Sequence, residues 1–95
     1  MELIELGGVT AETFRPLIGQ GFRVADSEVV ITLESVNLLG LARNPELREP
    51  FSLTFRLPGP GKCPQTTYRL EHDTLGALNI FLVQVSPTGV EAIFN

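Results

Sequence analysis

The amino-acid sequence predicts a mainly β fold, a small antiparallel barrel or roll of roughly five to seven strands with one short N-terminal helix. The first observation is the C-terminal third, where turn-forming segments at 73–76 and 86–89 separate three runs of β-forming residues, at 66–72, 78–85 and 90–95. The second is the strict alternation of apolar and polar residues over 51–57, which is typical of a strand with one buried face. Closing the sheet would remove the exposed strand edges of such a meander.

The predicted helix begins after Thr10. Threonine is a favoured N-cap residue, and Val9 and Phe14 occupy the two positions that form a hydrophobic staple. Pro16 lacks the amide hydrogen that a continuing helix needs, so the helix should span about two turns and tighten at its end. Gly19 is the expected left-handed stop, and the first short strand should follow at 21–25.

A long second strand is predicted over 28–39, because this segment is rich in β-branched residues. Its apolar positions are odd-numbered up to Leu33 and even-numbered from Val36, and a shift by one residue is the mark of a β-bulge. We therefore expect a bulge near 34–36. The polar segment 41–49 should be the longest exposed loop.

The segment 58–62 contains two prolines and two glycines, so the strand over 51–57 must end there. It is expected to join the next strand as a wide hairpin or a crossing loop. In the C-terminal meander the run 80–83 is apolar on both faces and should therefore be covered on both sides. The second cover could be the N-terminal helix, the far wall of a barrel or a partner subunit.

Composition indicates one globular domain over residues 1–95. The chain is 43% hydrophobic and 19% charged, and its net charge of −4 with scattered basic residues argues against a nucleic-acid partner. The first eight residues carry two glutamates, and no apolar run is long enough to span a bilayer. We expect a cytoplasmic protein that does not interact with membranes.

Few residues could carry chemistry. His72 is the only histidine, and Asp73 beside it would point to the opposite face of a shared strand, so His72 is better interpreted as ending a strand. Tyr68 and His72 are the two candidate catalytic residues if the protein is an enzyme. Cys63 lacks a basic cluster that would activate it, and a zinc site needs more Cys and His residues than this chain has. No metal or cofactor is expected.

A mixed-charge segment provides the candidate interaction loop, which consists of Arg43, Glu46, Arg48 and Glu49. Charged groups of both signs can form the polar rim around a protein interface. The alternative interpretation is an ordinary solvated loop.

Five groups of segments carry a resemblance to a known family. The sequence resembles a family of small bacterial proteins built on an uncharacterised domain of unknown function, and the resemblance spans nearly the whole chain. It implies a bacterial origin and a self-contained domain, and it transfers no active site. Relatives encoded near phage-tail-like collar proteins imply an assembly or accessory role. The matching segments are TAETF with PLIGQ (10–14 and 16–20), REPFSL (48–53), PQ with YRLEH (64–65 and 68–72), LG with IFLV (75–76 and 80–83), and EAIFN (91–95).

From these observations we expect a non-catalytic interaction or assembly module that binds a protein partner or a second copy of itself. The alternative is a small-molecule-binding barrel, or a minor enzyme, that uses the barrel mouth with Tyr68 or His72 at its edge. That alternative requires a cavity of roughly 300 Å³ or more. It fails if no such cavity remains because the interior is filled by the apolar residues Phe51, Leu53, Phe55, Leu70, Ile80 and Leu82.

Overall fold

The computed structural model describes residues 1–40 and 48–95. Within these residues the chain forms six strands and one short α-helix, flanked by two turns of 3₁₀ helix. The helix α1 spans Ala11–Phe14, and the 3₁₀ turns span Leu6–Gly8 and Arg15–Leu17. The strands are β1 (Gly21–Val24), β2 (Val30–Leu38), β3 (Phe51–Arg56), β4 (Thr66–His72), β5 (Gly76–Ser86) and β6 (Gly89–Phe94).

The six strands form a closed barrel in the order β1, β2, β3, β6, β5, β4, and every neighbouring pair is antiparallel. The predicted fold class is therefore confirmed. β3 and β4 are not neighbours in the barrel, so the segment between them is a crossing loop and not a hairpin. It passes over the end of the barrel where β4 and β6 begin.

The barrel interior is filled by every second side chain along the strands, because successive side chains point to opposite faces of a strand. Phe51, Leu53 and Phe55 of β3 are fully buried, and so are Leu70 of β4 and Leu78 of β5. The ring of Phe51 stacks on that of Phe94 with their centroids 4.6 Å apart. Burial of large aromatic side chains is the main stabilising contribution in a core of this size. The alternating apolar residues of β3 therefore stabilise the folded barrel.

The predicted β-bulge in β2 is confirmed. Leu33 pairs with Phe55 but Ser35 pairs with Thr54, so the register between β2 and β3 shifts by one residue at Glu34. Because side chains alternate across a strand, this shift lets Val36 pack against the core although its number has the opposite parity to Leu33.

The N-terminal helix closes one end of the barrel. Thr13 Oγ1 accepts a hydrogen bond from the Thr10 backbone amide at 3.0 Å, and the staple residues Val9 and Phe14 are both buried. The ring of Phe14 lies 6.0 Å from that of Phe51 and 5.8 Å from that of Phe94. After Phe14 the chain tightens into the 3₁₀ turn that contains Pro16, as predicted, and Gly19 has the expected positive φ of 91°.

The first residues of the chain run along the start of β5. The Ile4 amide donates to the Ala77 carbonyl at 2.8 Å, and the Ala77 amide donates to the Glu2 carbonyl at 2.8 Å. Gly76 permits this approach, because a Cβ at that position would lie 2.8 Å from the Glu2 carbonyl oxygen. Its φ of 108° is also outside the range that other residues adopt readily.

Gly76→Ala should therefore destabilise the protein more than Gly19→Ala does. Both substitutions place a side chain at positive φ, which costs about 1–2 kcal/mol. Only the alanine at position 76 must also displace the N-terminal segment, since nothing lies within 4 Å of a Cβ at Gly19. Chemical denaturation measures the two changes in unfolding free energy. Equal losses would contradict the tight packing at Gly76.

Candidate functional site

The two ends of the barrel are built differently. At the capped end, α1 covers the interior and Phe14, Phe51 and Phe94 fill it. At the opposite end, which we call the mouth, β1, β3 and β5 end and β2, β4 and β6 begin. Here the structure contains a cavity of about 340 Å³, which exceeds the size that the ligand-binding alternative requires. Its apolar wall includes Ile31, Leu57, Leu82 and Val90.

The crossing loop between β3 and β4 forms part of the cavity wall and is held in place by Gln84. The side-chain oxygen of Gln84 accepts from the Cys63 amide at 2.8 Å, and its side-chain nitrogen donates to the Gly61 carbonyl at 2.6 Å. Gln84 continues the inward-facing series of Leu78, Ile80 and Leu82 along β5. Sequence reasoning missed this role of Gln84. The one signal for it is that a polar residue stands at an inward-facing position of β5.

Tyr68 lies in the cavity wall next to the crossing loop. Its hydroxyl donates to the Pro64 carbonyl at 2.6 Å, and the Cys63 thiol lies 3.4 Å away as a donor to the same oxygen. Burial raises the pKa of Tyr68 to about 12, and the hydrogen bond and charge interaction with Cys63 contribute to that rise. The phenol is therefore neutral at physiological pH.

His72 lies at the other end of the barrel. It is the last residue of β4, as predicted, and it is buried. Its Nδ1 accepts from the backbone amides of Thr74 at 3.2 Å and Leu75 at 3.1 Å, which places the ring proton on Nε2. Nε2 then donates to Gln20 Oε1 at 2.7 Å. Both ring nitrogens thus bind the protein, holding the turn after β4.

Tyr68 and His72, the two candidate catalytic residues, therefore do not converge. Tyr68 lines the mouth cavity, whereas His72 contacts the ring of Phe22 at 4.8 Å between centroids and does not line that cavity. The structure brings Tyr68 together with Cys63 instead. The sequence could not reveal this contact, because it depends on how the crossing loop folds back over β4.

The candidate interaction loop is described only in part, because Arg43 and Glu46 lie outside the described residues. Glu49 is exposed. Arg48 points into the protein, where its guanidinium donates to the carbonyls of Leu6, of Val9 at 2.8 Å and of Asn95 at 3.1 Å.

Arg48 also lies over two stacked aromatic rings of the capped end. The carbon of its guanidinium is 5.7 Å from the ring centroid of Phe51 and 5.5 Å from that of Phe94. Cations at this distance from aromatic rings are attracted to their faces. Arg48 therefore ties the N-terminal segment to the last residue of the chain, a structural role within one protomer.

The outer face of the C-terminal meander is the second candidate site. Ile80 and Leu82 face the core, but the alternate residue Phe81 is 50% exposed. Within the described residues, neither the helix nor the far wall of the barrel covers the second face of this run. Val85 is 55% exposed on the same strand, and Ile93 of β6 is 58% exposed. We call Phe81, Val83, Val85 and Ile93 the outer apolar face.

Among residues 1–40 and 48–95, no group of three or more His, Cys, Asp and Glu side chains is placed to hold a metal ion. None of the helices in these two ranges is long and apolar enough to cross a membrane.

These features define a class: a small all-β domain whose six-stranded barrel is capped at one end and open at the other. Residues 9–94 match a family described as a domain of unknown function, DUF6916. Because the match covers almost the whole chain, the protein belongs to this family, which confirms the resemblance to an uncharacterised domain family. No curated protein and no solved structure matches the chain.

The Tyr68 environment can be tested by alkaline titration. The chain contains one tyrosine and no tryptophan, so ultraviolet absorbance reports on Tyr68 alone. We expect ionisation with a midpoint of about 12 in the native protein, against roughly 10 in denaturant. A pKa that is raised by folding contributes stability that is fully present below pH about 10 and is lost as the pH rises towards 12.

Cys63→Ala is the matched variant for this titration. It removes the contribution of Cys63 but keeps the burial, so the midpoint should fall below the wild-type value and stay above that of the unfolded chain. A native midpoint near 10 in the wild-type protein, with the β circular-dichroism signal intact, would contradict the assigned environment of Tyr68.

Proposed function

We propose that this domain is a non-catalytic interaction module of a bacterial assembly, and that it binds a protein partner through the outer apolar face. The observation that carries the proposal is the exposure of Phe81, Val85 and Ile93, three large apolar side chains on adjacent strands of one sheet surface. Burying the exposed half of each side chain would contribute about 1 kcal/mol. Clusters of exposed apolar side chains commonly mark protein contact sites.

Charges of both signs border the outer apolar face. Glu91 of β6 pairs with Val83, and Arg69 of β4 pairs with Asn79 on the other side of β5. A mixed-charge rim favours a partner whose own rim is complementary in sign, and it suppresses non-specific association. The candidate loop 43–49 is not needed for this proposal, since Arg48 is committed to contacts within the protomer.

The absence of catalysis is supported by the placement of the polar groups. Both ring nitrogens of His72 are engaged by the protein, and the Tyr68 hydroxyl is paired with Pro64 and Cys63. A cytoplasmic location is part of the proposal. It is supported by the single cysteine, which cannot form a disulfide within the chain and suits a reducing compartment.

Partner binding can be tested with the double substitution Phe81→Thr and Ile93→Thr, because threonine keeps the β propensity and removes apolar surface. The partners to test first are the purified phage-tail-like collar proteins that the resemblance implies as neighbours. We expect the wild-type domain to form a complex by size exclusion with light scattering, and the double variant to lose at least about tenfold in affinity.

Val30→Thr is the control, because Val30 is 44% exposed on the outer surface of β2, away from the outer apolar face. It should bind like the wild type. Self-association that the double variant abolishes would support the same face with a second copy as the partner. A monomer that captures none of these proteins, or a double variant that binds as tightly as the wild type, would refute the proposal.

A further inference from the structure

At the mouth of the barrel, the pocket above the buried core leaves apolar side chains partly uncovered. Val29 belongs to the inward-facing series of Ile31 and Leu33, both of which are buried. Yet Val29 is 43% exposed, and it lines the mouth cavity. The neighbouring Val30, with nearly the same exposure, lies on the outer surface and pairs with Arg23. Protein atoms therefore cover the inward-facing side chain of Val29 only in part.

The volume of the cavity sets the size of a suitable ligand. An apolar cavity of about 150 Å³ accommodates benzene. The mouth cavity, at about 340 Å³, is roughly twice that size and would hold a molecule of about ten to twelve non-hydrogen atoms.

The two hydroxyl groups in the cavity wall already have partners within the protein. The Ser27 hydroxyl donates to the Val24 carbonyl at 2.9 Å and accepts from the Val29 amide at 3.1 Å. The Tyr68 hydroxyl is paired with Pro64 and Cys63. A ligand that required hydrogen bonds from these groups would have to break existing ones, so the wall favours an apolar chain or ring.

Lys62 provides the one charge among the residues that line the cavity. It forms no ion pair with any residue of 1–40 or 48–95. The acidic residues Asp26 and Glu28, which flank Ser27 on the opposite side of the mouth, do not line the cavity. The cavity thus combines an apolar body with one available cation at its rim.

We propose that the mouth cavity is a binding site for a small monocarboxylate with an apolar chain or ring, whose carboxylate pairs with Lys62 at the rim. The apolar part contacts Val24, Val29, Leu57 and Tyr68, which are partly exposed side chains of the cavity wall, and its transfer from water supplies most of the affinity. The pairing with Lys62 sets the preference for an anion over a neutral or cationic molecule of the same shape.

Octanoate, octanol and octylamine form a suitable set of probes, because they share one chain length and differ in charge. Cys63 is the only cysteine and lines the cavity, so the rate of its alkylation by a small thiol reagent reports occupancy. Fluorescence of Tyr68, the only tyrosine in a chain without tryptophan, provides a second readout. We expect octanoate to slow alkylation saturably, with one molecule bound per chain.

Four variants separate the contributions. Val29→Phe should fill the cavity and abolish protection, whereas Val30→Phe, its neighbour on the outer surface, should retain it.

Lys62→Gln should weaken octanoate binding about two- to fivefold and leave octanol binding unchanged. Added salt should reduce the octanoate preference of the wild type in the same way. The double variant of Phe81 and Ile93 should bind octanoate normally, since it alters a different surface.

Several outcomes would overturn the assignment. They are no saturable protection by octanoate, octylamine binding as tightly as octanoate, or equal octanoate binding by Val29→Phe and Val30→Phe. If Val29→Phe does not fold, Lys62→Gln decides, because that side chain is exposed and its replacement leaves the core intact. Unchanged octanoate affinity in Lys62→Gln would refute the role of Lys62.

Discussion

The pairing of β1 with β4 is the contact on which the rest of the structure depends, because it closes the sheet. It is short: only Arg23 with Glu71 and Val24 with Leu70 are in register. The Arg23 guanidinium also forms an ion pair with the Glu71 carboxylate across this seam. Closure leaves no open sheet edge to aggregate, and it also creates two barrel ends that must be filled, covered or left open.

The two ends meet that requirement in different ways. At the capped end Phe14 of α1 packs against Phe51 and Phe94, while Arg48 joins the flanking segments over the same rings. At the mouth the crossing loop is too rich in proline and glycine to bring large apolar side chains inward. The side chain of Gln84 holds this loop by hydrogen bonds to the backbone of Gly61 and Cys63. One end is therefore a packed core, and the other retains a cavity beside Tyr68.

Much of the fold could be predicted because it depends on local pattern. Alternation defined β3, turn residues separated the strands of the meander, and a change of parity located the bulge in β2. Most of the candidate site could not be predicted. The contact between Cys63 and Tyr68 depends on how the crossing loop folds back over β4, and the inward course of Arg48 depends on its contacts with the N-terminal segment and the last residue. Periodicity reveals neither. The separation of Tyr68 from His72, by contrast, follows from their spacing, because four residues of an extended strand span about 13 Å.

The exposure of Phe81 is a further feature that the sequence pattern alone could not predict. The sequence predicted that a run apolar on both faces would be covered twice, and within the described residues the protein supplies only one cover. A pattern can show that a surface is suited to burial, but it cannot show which molecule buries it. The outer apolar face and the mouth cavity are thus two separate surfaces, and we propose a different partner for each.

This barrel is covered by α1 at its capped end and keeps an open apolar pocket at its mouth. Methyl-resolved NMR under xenon pressure tests this arrangement directly, since xenon enters apolar cavities without requiring polar contacts. Saturable shifts should appear at the methyl groups of Val24, Val29 and Leu57, which are partly exposed apolar residues of the cavity wall, and not at those of Leu33 and Leu53. Shifts of equal size at both groups, or none at the mouth, would contradict this account.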